Sequence, residues 1–360
     1  LSYCLKVVKF SFWGLFAFLF GCCVLLFGID LSVGTVAIPF FEVVHLFWQA
    51  LGALFSDTST ESHYHWTILK DFRLPKALTA VLAGAALSVS GLQMQTFFRN
   101  PLAGPFVLGI SSGASLGVAL LMLLAAGSGL FSEFFVELAA LPYQDWLLVG
   151  AAFIGAALVL MLMMLASLRV QNNMALLIVG LMFGSMTSAV VSILQYIAEA
   201  DKIKSYLVWT WGSLGHLTWE KLGILAPLVG IGLCLAWLIH KPLDALLLGE
   251  AYAESMGMGI KRTRLAIILI NSLLAGCITA FCGPISFIGI AVPHLARLLL
   301  STSQHRYLIP TVALIGAMLV LGCDIFATFI LPEQTLPINI VTALLGAPLV
   351  IWVILRKRRL

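Results

Sequence analysis

The sequence predicts an all-α membrane protein with about ten transmembrane helices, and three observations predict it. Apolar residues make up 61% of the 360 and charged residues 10%, with a mean hydropathy of +1.07. A soluble domain carries about a quarter charged residues, so this chain is built for a bilayer. Its apolar residues also gather into stretches long enough to cross one, and the charges between the stretches sort by sign.

In chain order the spans fall near 7–29, 73–97, 105–126, 146–168, 174–198, 222–240, 264–282, 286–301, 307–330 and 337–355. The run from Val7 to Ile29 has span length and no small-residue cleavage site, so it reads as a retained first helix and not a signal peptide. The missing initiator Met reads as a trimmed start. Within Val36–Phe55, Glu42, His45 and Gln49 recur at helical spacing on one face, which predicts an interfacial helix in an outer loop spanning 32–71. With both termini inside, fourteen of the twenty Lys and Arg residues fall in cytoplasmic segments and twelve of the sixteen acids fall outside. Only Asp324 lies clearly within a span, and an eleventh helix would scramble this sorting.

"GPFVLGI" (Gly104–Ile110) recurs loosely as "GPISFIGI" (Gly283–Ile290), each between two spans and, by the charge sorting, on opposite sides. An inverted repeat, spans two to five mirrored by seven to ten, would leave this mark; so would two unrelated Gly-Pro turns. The seven cysteines form neither a CxxC pair nor a Cys/His array and read as packing residues. No GxxxxGK[ST] loop, HExxH or GxSxG is present, so the P-loop route to ATP hydrolysis and two common hydrolase designs are excluded. A path energised by another subunit is the reading that remains.

Four blocks, Arg73–Gly117, Leu246–Arg264, Gly283–Leu299 and Leu336–Leu355, resemble the signature blocks of FecCD-type permeases. These are the membrane subunits of type II ABC importers for iron–siderophore, haem and vitamin B12. The resemblance implies a ten-helix fold, a homodimer, two copies of a separate ATPase that binds ATP and Mg, and an extracytoplasmic substrate-binding protein. No cofactor, metal or nucleic acid is expected in this chain. The expected setting is the bacterial cytoplasmic membrane and its lipid, and the expected cargo is a bulky metal chelate. A proton-coupled carrier, with Asp324 as its carboxylate, and a non-transporting membrane receptor are the alternatives.

Pro101 and Pro105 stop the second span and restart the third, with Asn100 placed to cap the exposed backbone. Gly109, Ser111, Ser112, Gly113, Ala114, Ser115 and Gly117 then give the third span a small-residue face for close helix approach. The resemblance places a cytoplasmic gate at Asn100, Leu102, Asn172 and Asn173; ordinary helix capping is the plain alternative for the asparagines. It makes the cytoplasmic loop 241–263 a coupling element, with Gly249, Glu250, Ala253, Glu254 and Gly257 in a short helix that seats in the ATPase. Glu250 suits the positive end of that helix. The translocation path is expected along the fifth span at Gly180, Gly184, Ser185, Ser188, Ser192 and Gln195. The resemblance also implies that Arg73 and Lys76, basic residues on the acidic side, dock the binding protein, with snorkelling or lipid-headgroup contact the plain alternative, though Thr328 stands where some members add a third basic residue. His63, Tyr64 and His65 read as polar loop residues rather than haem ligands, His294 as an internal hydrogen-bonding group, and Trp209, Trp211 and Trp219 as an interfacial belt.

Overall fold

A computed structural model describes residues 12–53, 64–124, 144–170, 172–330 and 336–357. Among them the chain forms fourteen helices and no strand. They are α1 (Phe12–Ser32), α2 (Phe40–Ala53), α3 (Tyr64–Phe97), α4 (Ile110–Leu124), α5 (Gln144–Arg169), α6 (Asn173–Ile197) and α7 (Ala200–Thr210). After these come α8 (Trp219–Leu238), α9 (His240–Leu248), α10 (Glu250–Ser255), α11 (Ile260–Cys282), α12 (Ile288–Leu300), α13 (His305–Ile330) and α14 (Ile338–Lys357). Seven of them (α1, α3, α5, α6, α8, α11 and α13) are long and apolar enough to cross a membrane, and α4, α12 and α14 are shorter apolar helices. Every expected span therefore has a helix.

Two boundaries differ from expectation. The helix expected to start at 73 begins at Tyr64 and passes through a π turn at Leu69–Arg73, where Leu74 N–H reaches Leu69 O. The cause lies just beyond it: Pro75 has no N–H for the carbonyl of Asp71, and widening the turn accommodates the ring. The second difference is α7, which no span predicted, because "ADKIKSYLVWT" is polar in its first half and too short to register in a span-length window.

The core is α3. Within its most apolar stretch 83% of residues are buried, against 72% for α11, 22% for α6 and 11% for α1. Neighbours approach α3 closely because glycines meet across the interface. A Cβ on Gly84 would land on the Gly316 carbonyl of α13, and one on Gly91 would land on the Gly289 carbonyl of α12. Lipid gives helices no hydrophobic reason to associate, so such backbone approach supplies the packing energy instead. Several buried hydroxyls are satisfied within their own helices: Thr79, Thr96, Ser272, Thr279 and Thr311 each donate to the carbonyl four residues earlier.

The two Gly-Pro segments produce the same local design. Gly104–Leu108 leads through left-handed Gly109 (φ 75°) into the short helix α4, and Gly283–Ser286 leads through left-handed Phe287 (φ 66°) into the short helix α12. They also meet in space, since a Cβ on Gly289 would lie 2.5 Å from the Pro105 ring. Asn271 of α11 donates to Pro105 O at 3.1 Å and pins this junction.

Candidate functional site

Three polar regions interrupt the apolar bundle. The first lies at the positively charged end, where α3 ends, α6 begins and α10 crosses. Asn100 Oδ1 accepts from Leu102 N–H at 2.9 Å, and Asn172 Oδ1 accepts from Met174 N–H at 2.8 Å, so both asparagines cap turns. Asn173 reaches further. Its amide donates to Phe97 O at 3.0 Å and to Glu250 Oε1 at 2.8 Å. Arg264 completes the cluster, donating to Asn173 Oδ1 at 3.0 Å, to Val170 O at 2.8 Å and to Glu250 Oε1 at 3.4 Å. Leu102 remains exposed.

The helix α10 that carries Glu250 is bounded by Gly249 (φ 124°) and Gly257 (φ 84°), conformations that L side chains rarely adopt. Ala253 is buried at its base, while Glu254, Tyr252 and Met256 face outward beside Leu248. Beneath it Asp244 of α9 accepts from His305 at 2.8 Å (backbone) and 2.7 Å (Nδ1), and His305 Nε2 sits 2.8 Å from Thr96 Oγ1. Partial burial alone would raise the Asp244 pKa, but the His305 hydrogen bonds outweigh it and hold the carboxyl below its ordinary value.

The second region lies along α6. Gly180 is buried where a Cβ would meet Val107 O, and Gly184 sits 3.4 Å from Ser112 Oγ by the same measure. Further along, Ser188 and Ser192 join Ser111, Ser112, Ser115, Val191 and Tyr206 around a cavity of about 260 Å3. The small-residue face of α4 thus does two jobs. Gly113 and Gly117 pack on α5, where their Cβ atoms would strike Gly155 O and Ala151 O, while the serines open toward α6 and α7. Ser185 lies on the exposed face of α6 with Leu181, Met182 and Met186; Gln195 is half-buried.

The third region is at the acidic end. Arg73 is buried beneath the segment after α1, donating to Leu31 O at 2.7 Å and to Val36 O. Lys76 Nζ lies 2.8 Å from Asp324 Oδ2 and 3.5 Å from Thr328 Oγ1. Asp30, just past the expected end of the first span, is buried at the end of α1 beside Asp324. Asp30, Arg73, Lys76 and Thr328 all line a cavity of about 390 Å3. The two expected docking residues are therefore built into the wall of this cavity instead of standing free on the rim.

His65 pairs with Glu42 of α2 at 2.6 Å, while His63 lies outside the described residues. His294 Nε2 donates to Pro101 O at 2.9 Å. Trp219 donates to Lys70 O at 3.0 Å, and Trp209 stacks on Tyr206 beside a further cavity of about 200 Å3. Among the described residues no group of three His, Cys, Asp or Glu side chains stands close enough to hold a metal ion. Sequence reasoning treated Arg264 only as a topology marker and missed Arg99, Asp30 and Tyr206 as site members. For Arg264 the signal was present, a guanidinium as the first residue of an expected span.

A bundle of apolar helices with two Gly-Pro turns, a polar cavity along one helix and a glycine-bounded helix at one end is the architecture of a multi-pass membrane protein. The chain belongs to the FecCD transport family, whose profile matches residues 22–356. It is 37% identical over 294 residues to the hemin transport system permease protein HmuU of Yersinia pestis, covering 81% of this chain and 84% of that protein. It is 35% identical over 332 residues to the vitamin B12 import system permease protein BtuC of Vibrio parahaemolyticus, covering 91% and 94%. An inward-facing solved structure assigned to the metal-chelate type of ABC transporter matches at a TM-score of 0.79 and 26% identity, over 95% of this chain and 99% of that one. The chain is a permease subunit of the ABC importer class, a transport protein and not an enzyme.

Proposed function

We propose that two copies of this chain form the membrane path of an importer that receives a bulky metal chelate from an extracytoplasmic binding protein and releases it into the cytoplasm. Two copies of a separate ATPase, holding ATP and Mg, drive it. The observation that carries this reading is α10. A six-residue helix has no stability of its own, yet this one is held by flanking left-handed glycines and presents Tyr252 outward, with Leu248 and Met256 exposed at its two ends. Apolar side chains on so short a connector suit a groove in a partner protein better than water or lipid. On this reading the positive end is cytoplasmic, Asn100, Leu102, Asn172 and Asn173 border the gate, and the open face of α6 meets the second copy.

Tyr252→Asp with Met256→Asp is expected to leave the permease in the membrane while abolishing co-purification of the ATPase. Undiminished co-purification would remove α10 from the contact. For the cargo, the names of the relatives point to hemin and vitamin B12, and a ferric siderophore completes the set. Calorimetry of hemin, a ferric hydroxamate siderophore and cobalamin with the cognate binding protein is expected to select one iron chelate. Selection of cobalamin would place the chain with the vitamin importers.

A further inference from the structure

Resting on the importer reading above, we infer that the coupling segment grips the two gate segments through two separate struts, and that Arg99 and Glu250, with Arg264 behind it, are the residues that make them. The segment Leu246–Glu250 is where both struts end.

The first strut runs from Glu250 to the head of α6. Its carboxylate accepts from Asn173 Nδ2 at 2.8 Å and from Arg264 Nη2 at 3.4 Å, and Arg264 in turn holds Asn173 Oδ1 and Val170 O. Arg264 also stands 6.0 Å from the centre of the Phe97 ring, and Asn173 donates to Phe97 O, so the end of α3 shares the joint. The Arg264 side chain is 9% exposed and that of Glu250 34% exposed, so one end is fixed in the bundle and the other lies at the surface on α10. Hydrogen bonds to charged groups are about twice as strong as neutral ones, which suits a joint that has to transmit displacement.

The second strut runs from the turn after α3. Arg99 donates to Leu246 O at 3.2 Å (Nε) and 3.0 Å (Nη2), and to Leu247 O at 3.4 Å. Arg99 sits at φ 48°, a conformation uncommon for a residue with a side chain, so its placement is held against backbone cost. Gly249 makes room for it: a Cβ there would lie 3.0 Å from Arg99 Nη2. The turn that carries Arg99 continues into Asn100 and Leu102. Each gate segment is thus tied to the same coupling segment by its own charged group; the two ties share no residue, and the Phe97 contacts that join α3 to the head of α6 do not pass through Glu250.

This independence gives the test. In the permease–ATPase complex, Leu102→Cys reports on the turn after α3 and Met174→Cys on the head of α6; both native side chains are exposed. The rate of modification by a water-soluble thiol reagent, read at each residue by mass spectrometry, is measured with and without a non-hydrolysable ATP analogue. In the otherwise native chain both rates are expected to change with nucleotide by about an order of magnitude, as a gate population shift would give. Glu250→Ala should bring the change at residue 174 to within about twofold while sparing residue 102, and Arg99→Met should do the reverse. Glu250→Gln, which keeps an acceptor oxygen, should restore the response at 174. A general loosening of the fold would flatten both sites together and overturn the proposal, as would nucleotide responses that survive both substitutions. Loss of ATPase binding in Glu250→Ala would assign the carboxylate to docking and equally overturn it. Absence of any nucleotide response in the native complex would instead refute the gate assignment on which the struts rest.

Discussion

A charge held inside a bilayer needs a partner, and Lys76 and Asp324 provide one for each other at 2.8 Å. Removing Lys76 leaves Asp324 unmatched, so Lys76→Met is expected to destabilise the detergent-solubilised protein by about 3–5 kcal/mol. Lys76→Met with Asp324→Leu should recover most of that loss in thermal unfolding. Equal loss in the single and double variants would show that the pair does not act as a unit. Asp244 makes a second residue-level prediction. Its folded pKa lies below the unfolded value, so its contribution is present above the ordinary carboxylate pKa of about 4 and is lost as pH falls through the folded value. The stability gap between the native chain and Asp244→Asn should therefore be full at pH 7 and close below pH of about 4; a gap that persists in acid would contradict the assignment. The turn-capping positions of Asn100 and Asn172 were legible, because capping uses neighbours in sequence. The burial of Arg73 was not, because its acceptors, Leu31 O and Val36 O, are brought in by α1 and the segment that follows it.

At the scale of elements, helix contact is set by backbone proximity. The α4–α5 interface closes on Gly113, whose Cβ would stand 2.5 Å from Gly155 O and 2.6 Å from Val159 Cγ2. Gly113→Ala should cost about 1–3 kcal/mol through overpacking, whereas Gly322→Ala, with open space around it, should unfold at the native temperature. Matching effects at the two glycines would mean that helix propensity and not packing governs α4. The glycines around α10 and the prolines between α3 and α4 announced those elements in the sequence, since each marks a backbone state that other residues resist. The helix α7 left no such mark: its half-polar sequence is helical with its own Tyr206 buried and stacked on Trp209 one turn later. The cavity of serines on α4 and α6 was only half legible. The expected path residues Ser188 and Ser192 line it, whereas Ser185, one turn earlier on the same side of α6, is not among its lining residues; where along the helix the cavity stops depends on the neighbours of α6.

For the whole molecule, the charge sorting predicts which end faces the cytoplasm. Cysteines at Ser255 and Glu220, both exposed positions, should differ in intact cells: Glu220→Cys should react with an impermeant reagent at once and Ser255→Cys only after permeabilisation. Reaction of Ser255→Cys from outside would invert the bundle and remove α10 from any cytoplasmic ATPase. The central claim, a path whose motor is a separate subunit, is tested most directly by reconstitution. The permease and its ATPase are placed in proteoliposomes with the loaded binding protein outside and nucleotide inside, and chelate uptake is followed with and without a protonophore. The account predicts uptake that needs ATP and the binding protein and is indifferent to the proton gradient; uptake without ATP that collapses with the protonophore would contradict it.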